Sequence, residues 1–292
     1  MHTPPPSPFL VPFDGSFRIA DAATALPEDH PATRKRGKQL DAAIEELAEL
    51  QHRFHADGSR ALLLVFQAMD AAGKDSTIRR VFSGVNPAGF RVHGFGAPSS
   101  LERSHDFLWR LQTRLPERGR IGIFNRSHYE EVLVVRLNPG FLAGQGLDPS
   151  GDLDALWAQR FESIRGWEKH LATHRTTVVK FFLHVSKEQQ RLRFLDRLDD
   201  PEKNFKFNPD DLKVRARWDE YMGAYEDALN ATSRPWAPWY CIPADDKKAM
   251  RVIVAQLLVQ TLRSLDPQNP TLGPEDLAQL DTWKSQLEAD NG

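Results

Sequence analysis

The sequence holds a single cysteine, Cys241, in 292 residues. One thiol forms no internal disulfide and leaves no Cys/His zinc framework, so a reducing cytoplasm is the expected compartment. Long apolar runs are missing as well. The longest strongly apolar stretch is residues 61–66, far short of the roughly 20 residues that span a bilayer. The N-terminal MHTPPPSPFLVPF carries five prolines in its first twelve residues. It has no basic region ahead of an apolar one, so it does not read as a secretory signal. Net charge is nearly absent: 38 basic and 40 acidic residues give −2. Globally that points to neither nucleic acid nor membrane as a partner. At 40% hydrophobic and 27% charged residues, the composition is globular rather than disordered or collagen-like.

Lysine is missing locally. Over residues 79–136 ten arginines and no lysine face five acids, Glu102, Asp106, Glu117, Glu130 and Glu131. Such a local positive excess is a candidate anion-binding wall. Arginine in place of lysine favours planar, bidentate recognition of phosphate or carboxylate.

Residues 1–35 are proline-rich and aperiodic, and read as an extended arm that packs on the body or on a partner subunit. Leu40, Ile44, Leu47 and Phe54 then recur at helical spacing. ALLLVF (61–66) reads as a strand buried on both faces. Further strands are expected at 90–95, 121–124, 178–185 and 239–242. Helices are expected from Lys74, over 101–115, around Val132 and Val135, over 153–174, 210–231 and 247–265, and after Pro274. Ser186 to Gln189 resembles a capping box. This alternation predicts an α/β fold: a three-layer α/β/α sandwich around a mainly parallel five-stranded sheet. Residues 36–292 form its single domain. Ligands in such sheets bind at the carboxyl ends of the strands.

After the first strand comes Gln67-Ala68-Met69-Asp70-Ala71-Ala72-Gly73-Lys74-Asp75-Ser76-Thr77. A strand, a small-residue loop, Gly-Lys and a helix cradle phosphate: backbone N–H groups face the anion and the lysine reaches its outer oxygens. Relative to G-x-x-x-x-G-K-[ST], Ala68 replaces the first glycine and Asp75 stands at the hydroxyl position. The plainer reading is a Gly-Lys helix start without a ligand. The third strand ends IGIFNRSHYEE, with Asn125 at the position where enzymes with a phosphate loop of this kind usually place a metal-ordering acid. Asp70 can supply that carboxylate to Mg²⁺, and Arg126 at the strand tip can contact a transferring phosphoryl group.

Four ordered blocks extend the pattern: FQAMDAAGKDSTIRRVFSGVNPAGFRV, GIFNRSHYEEVLVVR, RLRFLDRLDDPEKNFKFNPDDLKVRARWDEYMGAYEDAL and APWYCIPADDKKAMR. Together they resemble the second family of polyphosphate kinases. The resemblance implies a P-loop kinase fold like thymidylate kinase, with a helical lid, and Mg²⁺-dependent phosphoryl transfer between inorganic polyphosphate and a nucleotide. With Asn125 and Glu130 in FNRSHYEE, the chain is similar to the subgroup that accepts both AMP and ADP. Phe205 stands where a lid tryptophan is frequent. The resemblance also suggests a homodimer or homotetramer, Mg²⁺ or Mn²⁺ as cofactor, and adenine nucleotides, with guanine nucleotides open.

Residues and resemblance together assign candidate roles. The catalytic set is Asp70, Lys74, Arg126 and Arg193, with Asp70 as the metal ligand. Polyphosphate, which carries about one negative charge per internal phosphate and demands a row of cations, is assigned Gly73, Lys74, Arg79, Arg126 and Arg136. Arg79 is preferred to Arg80 because adjacent helical residues diverge by about 100°. Nucleotide contacts are assigned to Asn125, Glu130, Arg197, Asp246 and Lys247.

Residues 187–217 carry nine basic side chains beside seven acids and read as the mobile lid. Arg193 and Arg197 share a helical face there, available for a transition state or for ion pairs within the helix. Asp246 can equally be a helix N-cap. Trp218, Tyr221 and Tyr225 read as a core stripe, and His128 as a packing residue rather than a base. The competing readings are an ATP-dependent nucleoside monophosphate kinase and a non-catalytic phosphate sensor.

Overall fold

The computed structural model describes residues 3–290; Met1 and His2 of the expected arm, and the last two residues, lie outside them. Ala61–Gln67 (β1) is buried at every position, which requires neighbours on both edges and cover on both faces. It pairs in parallel with Ile121–Asn125 (β3) and Thr176–His184 (β4), with Leu64 opposite Ile123 and Val179. Phe90–Gly94 (β2) lies outside β3, and Trp239–Pro243 (β5) outside β4, giving the parallel order β2-β3-β1-β4-β5. The chain crosses β1 between β3 and β4, so the crevice at their carboxyl ends is the ligand position expected of this topology.

Helices flank the sheet in two groups. Arg36–Asp57 (α1) packs on Lys247–Leu265 (α10), which also touches Lys74–Val81 (α2). In the second group Leu153–Thr173 (α6) packs on β4 and on Trp218–Thr232 (α9). Trp218, Tyr221 and Tyr225 are buried there, with Tyr225 against Phe182 at 4.4 Å between ring centroids. The lid segment folds as Lys187–Asp199 (α7), a short turn over Asn204–Lys206, and Asp210–Ala216 (α8).

Three expected helices are interrupted. The one over 101–115 becomes Ser100–Arg103 (α3) and Trp109–Gln112 (α4). Ser104 Oγ and His105 Nδ1 both reach the carbonyl of Leu101, and Asp106 accepts from the N–H of Leu108, so side chains take over helical backbone groups. After β3 the chain makes a 3₁₀ turn over His128–Val132 and then the single turn Val134–Leu137 (α5). The helix expected over 210–231 breaks at Arg217, between α8 and α9. Only half of the expected capping box forms. Ser186 accepts from the N–H of Gln189, but the N–H of Ser186 donates to Asp245 rather than to Gln189.

The N-terminal arm packs on the protein's own body. Val11 N–H donates to Trp239 and Cys241 N–H to Phe9, a short antiparallel bridge that covers the outer edge of β5. Pro274–Ala289 (α11) has no buried residue, and Leu277, Leu280, Trp283 and Leu287 form an exposed apolar stripe along it. Among the described residues no helix is long and apolar enough to cross a membrane.

Candidate active site

The loop between β1 and α2 is held in a shape its sequence does not adopt freely. Gly73 has φ +106° and Ala71 has φ +62°; the first suits glycine, and the second costs a side-chain-bearing residue of order 1 kcal/mol or more. The conformation is fixed from outside. Arg193 on α7, 7% exposed, donates to the carbonyls of Ala71, Ala72, Ala244 and Asp245 at 3.0, 2.8, 2.7 and 2.9 Å. Gln190 donates to the carbonyl of Asp70 at 2.9 Å and accepts from Arg215 on α8 at 3.0 Å. The lid's first helix is therefore stapled to the phosphate loop.

Lys74 is buried and donates to the carbonyl of Ala68 at 2.7 Å. Burial pushes its ammonium below the usual lysine range, opposed chiefly by the Asp70 carboxylate. Arg126, just past β3, sits in the left-handed region at φ +62° and donates its N–H to Phe66. Its guanidinium lies between Asp70 at 2.8 Å and Glu130 at 3.4 Å. Burial works against its charge, but Glu130 and Asp70 outweigh that and raise its pKa. Asn125 donates to Asp75, so the carboxylate absent from the strand end stands instead at the first turn of α2.

The donor set suits a hard cation. Asp70 and Asp75 offer carboxylate oxygens beside the loop, and among the described residues no group of three or more His, Cys, Asp or Glu gathers as a soft or closed metal site. Mg²⁺ takes one or two carboxylates and completes its shell with phosphate and water, so these residues fit it.

Two spaces are lined by side chains that touch or neighbour the loop, Arg126 for one and Arg193 and Lys247 for the other. A cavity of about 630 Å³ is lined by Arg126, Ser127 and Glu130 at one end and by Phe95, Phe107, Phe141, Arg103 and Arg110 further out. Arg110 lies over the Phe95 ring at 5.0 Å, donates to the carbonyl of Gly96 and pairs with Glu102. A separate open cleft of about 520 Å³ is lined by Arg36, Arg193, Asp196, Asp246 and Lys247. Lys247 is half-buried, and a Cβ placed on Gly73 would stand 3.7 Å from its Cε. Burial first, then Arg193 and Arg251, lower the pKa of Lys247. Exposed Arg79, on α2, makes no hydrogen bond or ion pair among the described residues and bears on Arg251, whereas Arg80 is tied to Asp41 at 2.6 Å.

The expected site residues thus divide. Asp70, Gly73, Lys74, Asn125, Arg126 and Glu130 converge. Asp246 and Lys247, expected to meet the nucleotide with Glu130, do not line its cavity; Asp246 caps α10 through the N–H groups of Lys248 and Ala249 and pairs with Arg36. Arg136 is not brought to the loop: it pairs with Asp227 at 2.7 Å and packs over Phe161. Arg193, expected at the transition state, has its guanidinium occupied by four carbonyls. Arg197 joins the two lid helices, 3.8 Å from Asp211 and over the Phe194 ring.

Asp75, Arg103, Arg110 and Asp211 were not singled out from the sequence. Arg103 and Arg110 belong to the arginine-only stretch, which was their signal. Asp211 reaches inward from α8. Burial, then the Asp70 carboxylate, push its pKa up to about 6, against the pull of Arg197, Arg126 and Lys74.

This geometry agrees with comparison to known proteins. The model of the family Polyphosphate kinase 2 (PPK2) matches residues 31–270. The chain belongs to the polyphosphate kinase 2 family. It is 50% identical over 250 residues to an ADP-polyphosphate phosphotransferase of Rhodopseudomonas palustris, covering 85% of this chain and 86% of the relative. It is 46% identical over 269 residues to an AMP/ADP-polyphosphate phosphotransferase of Meiothermus ruber, covering 90% and 94%. The crystal structure of polyphosphate kinase 2 from Arthrobacter aurescens superposes with a TM-score of 0.79 at 36% identity, over 88% of this chain and 89% of that one. In this member of the polyphosphate kinase 2 family, the Gly73-Lys74 loop follows β1 and the segment expected as a lid follows β4.

Proposed function

We propose that the protein transfers the terminal phosphoryl group of inorganic polyphosphate to AMP and to ADP, reversibly, giving ADP and ATP. The observation that carries this reading is the convergence of Asp70 and Lys74, after β1, with Arg126, after β3, and the two different spaces lined by Arg126 on one side and by Arg193 and Lys247 on the other. One is an open cleft of mixed charge with Lys247 and Lys248 on its wall, wide enough for a chain of phosphates. The other is a cavity with aromatic walls, suited to a nucleoside. The names of the relatives support the same substrates.

The donor lies along Lys247, Arg251 and Arg79, with its terminal unit on the N–H groups of the 70–74 loop. Lys74 leaves the carbonyl of Ala68 for the phosphate oxygens. The acceptor's base stands among Phe95, Phe107 and Phe141, and its phosphate faces Arg126. An oxygen of that phosphate forms the new P–O bond as the bond to the bridging oxygen breaks, and polyphosphate leaves one unit shorter. Arg126 meets the charge that spreads over the transferring group. Asp70, with Asp75 alongside, would hold Mg²⁺ or Mn²⁺, which would neutralise phosphate charge. Glu130 orients Arg126 and favours AMP as acceptor. The lid excludes water.

The aromatic rings of the cavity wall can stack on either purine, which supports guanine as well as adenine nucleotides. The exposed stripe on α11 supports assembly into a homodimer or homotetramer, and the lone cysteine supports a cytoplasmic location. The test is pure protein with Mg²⁺, long-chain polyphosphate and AMP, and separately ADP, following ADP and ATP over time. Nucleotide formation with polyphosphate as sole donor is expected. Formation only when ATP is added returns the reading to a nucleoside monophosphate kinase.

A further inference from the structure

The mechanism makes no use of the most deeply buried charges in the molecule. Lys180, in the middle of β4, is 0% exposed, as is Glu168 on α6. The Lys180 ammonium has three donors and three acceptors: Glu168 Oε2 at 2.6 Å, the Tyr129 hydroxyl at 2.8 Å and the carbonyl of Thr232 at 2.9 Å. It lies beside the packed rings of Tyr129 and Trp239, 5.3 and 5.2 Å from their centroids. Tyr129 in turn donates to Glu168 Oε1 at 2.8 Å and stands 2.9 Å from Thr232 Oγ1. A buried ion pair is a poor source of stability, because desolvation offsets most of the attraction, but it holds its partners in one arrangement.

The partner that matters is Tyr129. It stands three residues after Arg126 and one before Glu130, in the turn that carries both acceptor-side groups. That turn begins with a non-glycine residue in the left-handed region, Arg126 at φ +62°, a conformation that persists only when its surroundings over-determine it. The residue on the other side of Glu130 is anchored too. Arg160 donates to the carbonyl and to the carboxylate of Glu131 at 3.0 and 2.9 Å, and Gln145 donates to the same carboxylate at 2.8 Å. Glu130 is therefore the partly exposed member of a three-residue stretch whose flanks are both tied into the interior.

We propose that the Lys180–Glu168–Tyr129 centre is a positioning network for the acceptor side of the site, acting through Tyr129 to hold Arg126 and Glu130 at the mouth of the nucleotide cavity. The kinetic part of this inference rests on the proposed phosphotransfer. The structural part does not. Without the Tyr129 hydroxyl the 126–130 turn keeps its covalent path but loses its deepest anchor, and the donor cleft at Lys247 is untouched.

The test compares Tyr129→Phe with Tyr240→Phe, which removes a buried hydroxyl bonded to the Pro5 carbonyl of the N-terminal arm and to no member of the network. Amide hydrogen exchange at Arg126 and Glu130 is measured alongside KM for AMP, KM for polyphosphate and kcat. In Tyr129→Phe, exchange at those two amides and KM for AMP should each rise about tenfold, the scale of one lost hydrogen bond. KM for polyphosphate should stay unchanged, and Tyr240→Phe should move none of these. The double variant Lys180→Met/Glu168→Gln, which leaves no charge unpaired, should behave like Tyr129→Phe. A lower melting temperature with unchanged exchange and unchanged KM for AMP would make the network merely structural and overturn the proposal. If the wild type forms no nucleotide from polyphosphate, the phosphotransfer reading fails, and the exchange measurement still decides the positioning.

Discussion

Replacing Arg193 should cost stability first and turnover only as a consequence. Its guanidinium bridges four carbonyls, and its bonds to Ala72 and Ala244 are fully buried while those to Ala71 and Asp245 are partly so. In Arg193→Met water can reach the partly buried pair, but the buried pair is left without donors. An unsatisfied buried carbonyl costs about 1–3 kcal/mol, so the loss is about 4 kcal/mol in all. At roughly 2–4 °C per kcal/mol for a chain of this size, the melting temperature should fall by roughly 10 °C. Turnover should fall as the 70–73 loop relaxes, with donor and acceptor KM both affected. Arg193→Lys should recover little, because a point charge cannot straddle carbonyls on two separate loops. The assay is thermal unfolding and steady-state kinetics on the same preparations, with Arg197→Ala as the lid control. A variant that melts within about 2 °C of wild type while kcat drops a thousandfold would refute the argument, because the guanidinium would then act on the transferring phosphate.

Lys74→Met should lower kcat by about 10²–10³-fold, the scale of one lost charge-stabilising donor; its melting temperature should fall by roughly 5 °C, because one buried carbonyl, that of Ala68, loses its donor, and retained activity would remove the phosphate-loop assignment. Lys247→Ala should raise KM for polyphosphate and leave KM for AMP alone; the opposite split, read from initial rates at varied donor and acceptor, would return Lys247 to the nucleotide. Asp211 sets a pH dependence for the lid. Its pKa, about 6 in the packed lid against an ordinary 3.8 in water, means that packing takes up a proton between those values. The packed lid is therefore favoured at pH 5 and loosens as pH rises through 6. Limited proteolysis over 200–217 should quicken from pH 5 to pH 7.5 in the wild type, and Asp211→Asn should flatten the difference; equal slopes would show that Asp211 does not feel Asp70.

What is legible in the sequence is what a single segment decides. The run ALLLVF, short and bounded by turn residues, reads as a doubly covered strand, and Gly73-Lys74 at the end of the small-residue loop after it reads as a helix start, so the sheet centre and the loop after it are placed from the chain alone. The interruptions at Ser104 and Asp106 are harder to read, because they depend on side chains competing for backbone groups in an otherwise helical pattern. Lys180 was hidden in an apolar strand pattern; its partners, Glu168 and Tyr129, lie 12 and 51 residues away. The two lid arginines show the limit most clearly. Arg193 and Arg197 share a residue type and a helical face, and spacing gives them the same prospects. Burial separates them: Arg193 points under the lid, where carbonyls of two loops need donors, and Arg197 stays at the rim, within reach of Asp211. A four-residue shift along one helix moves a guanidinium from shaping the phosphate loop to clasping the cover above it. Only the packing of α7 against the loops after β1 and β5 distinguishes the two.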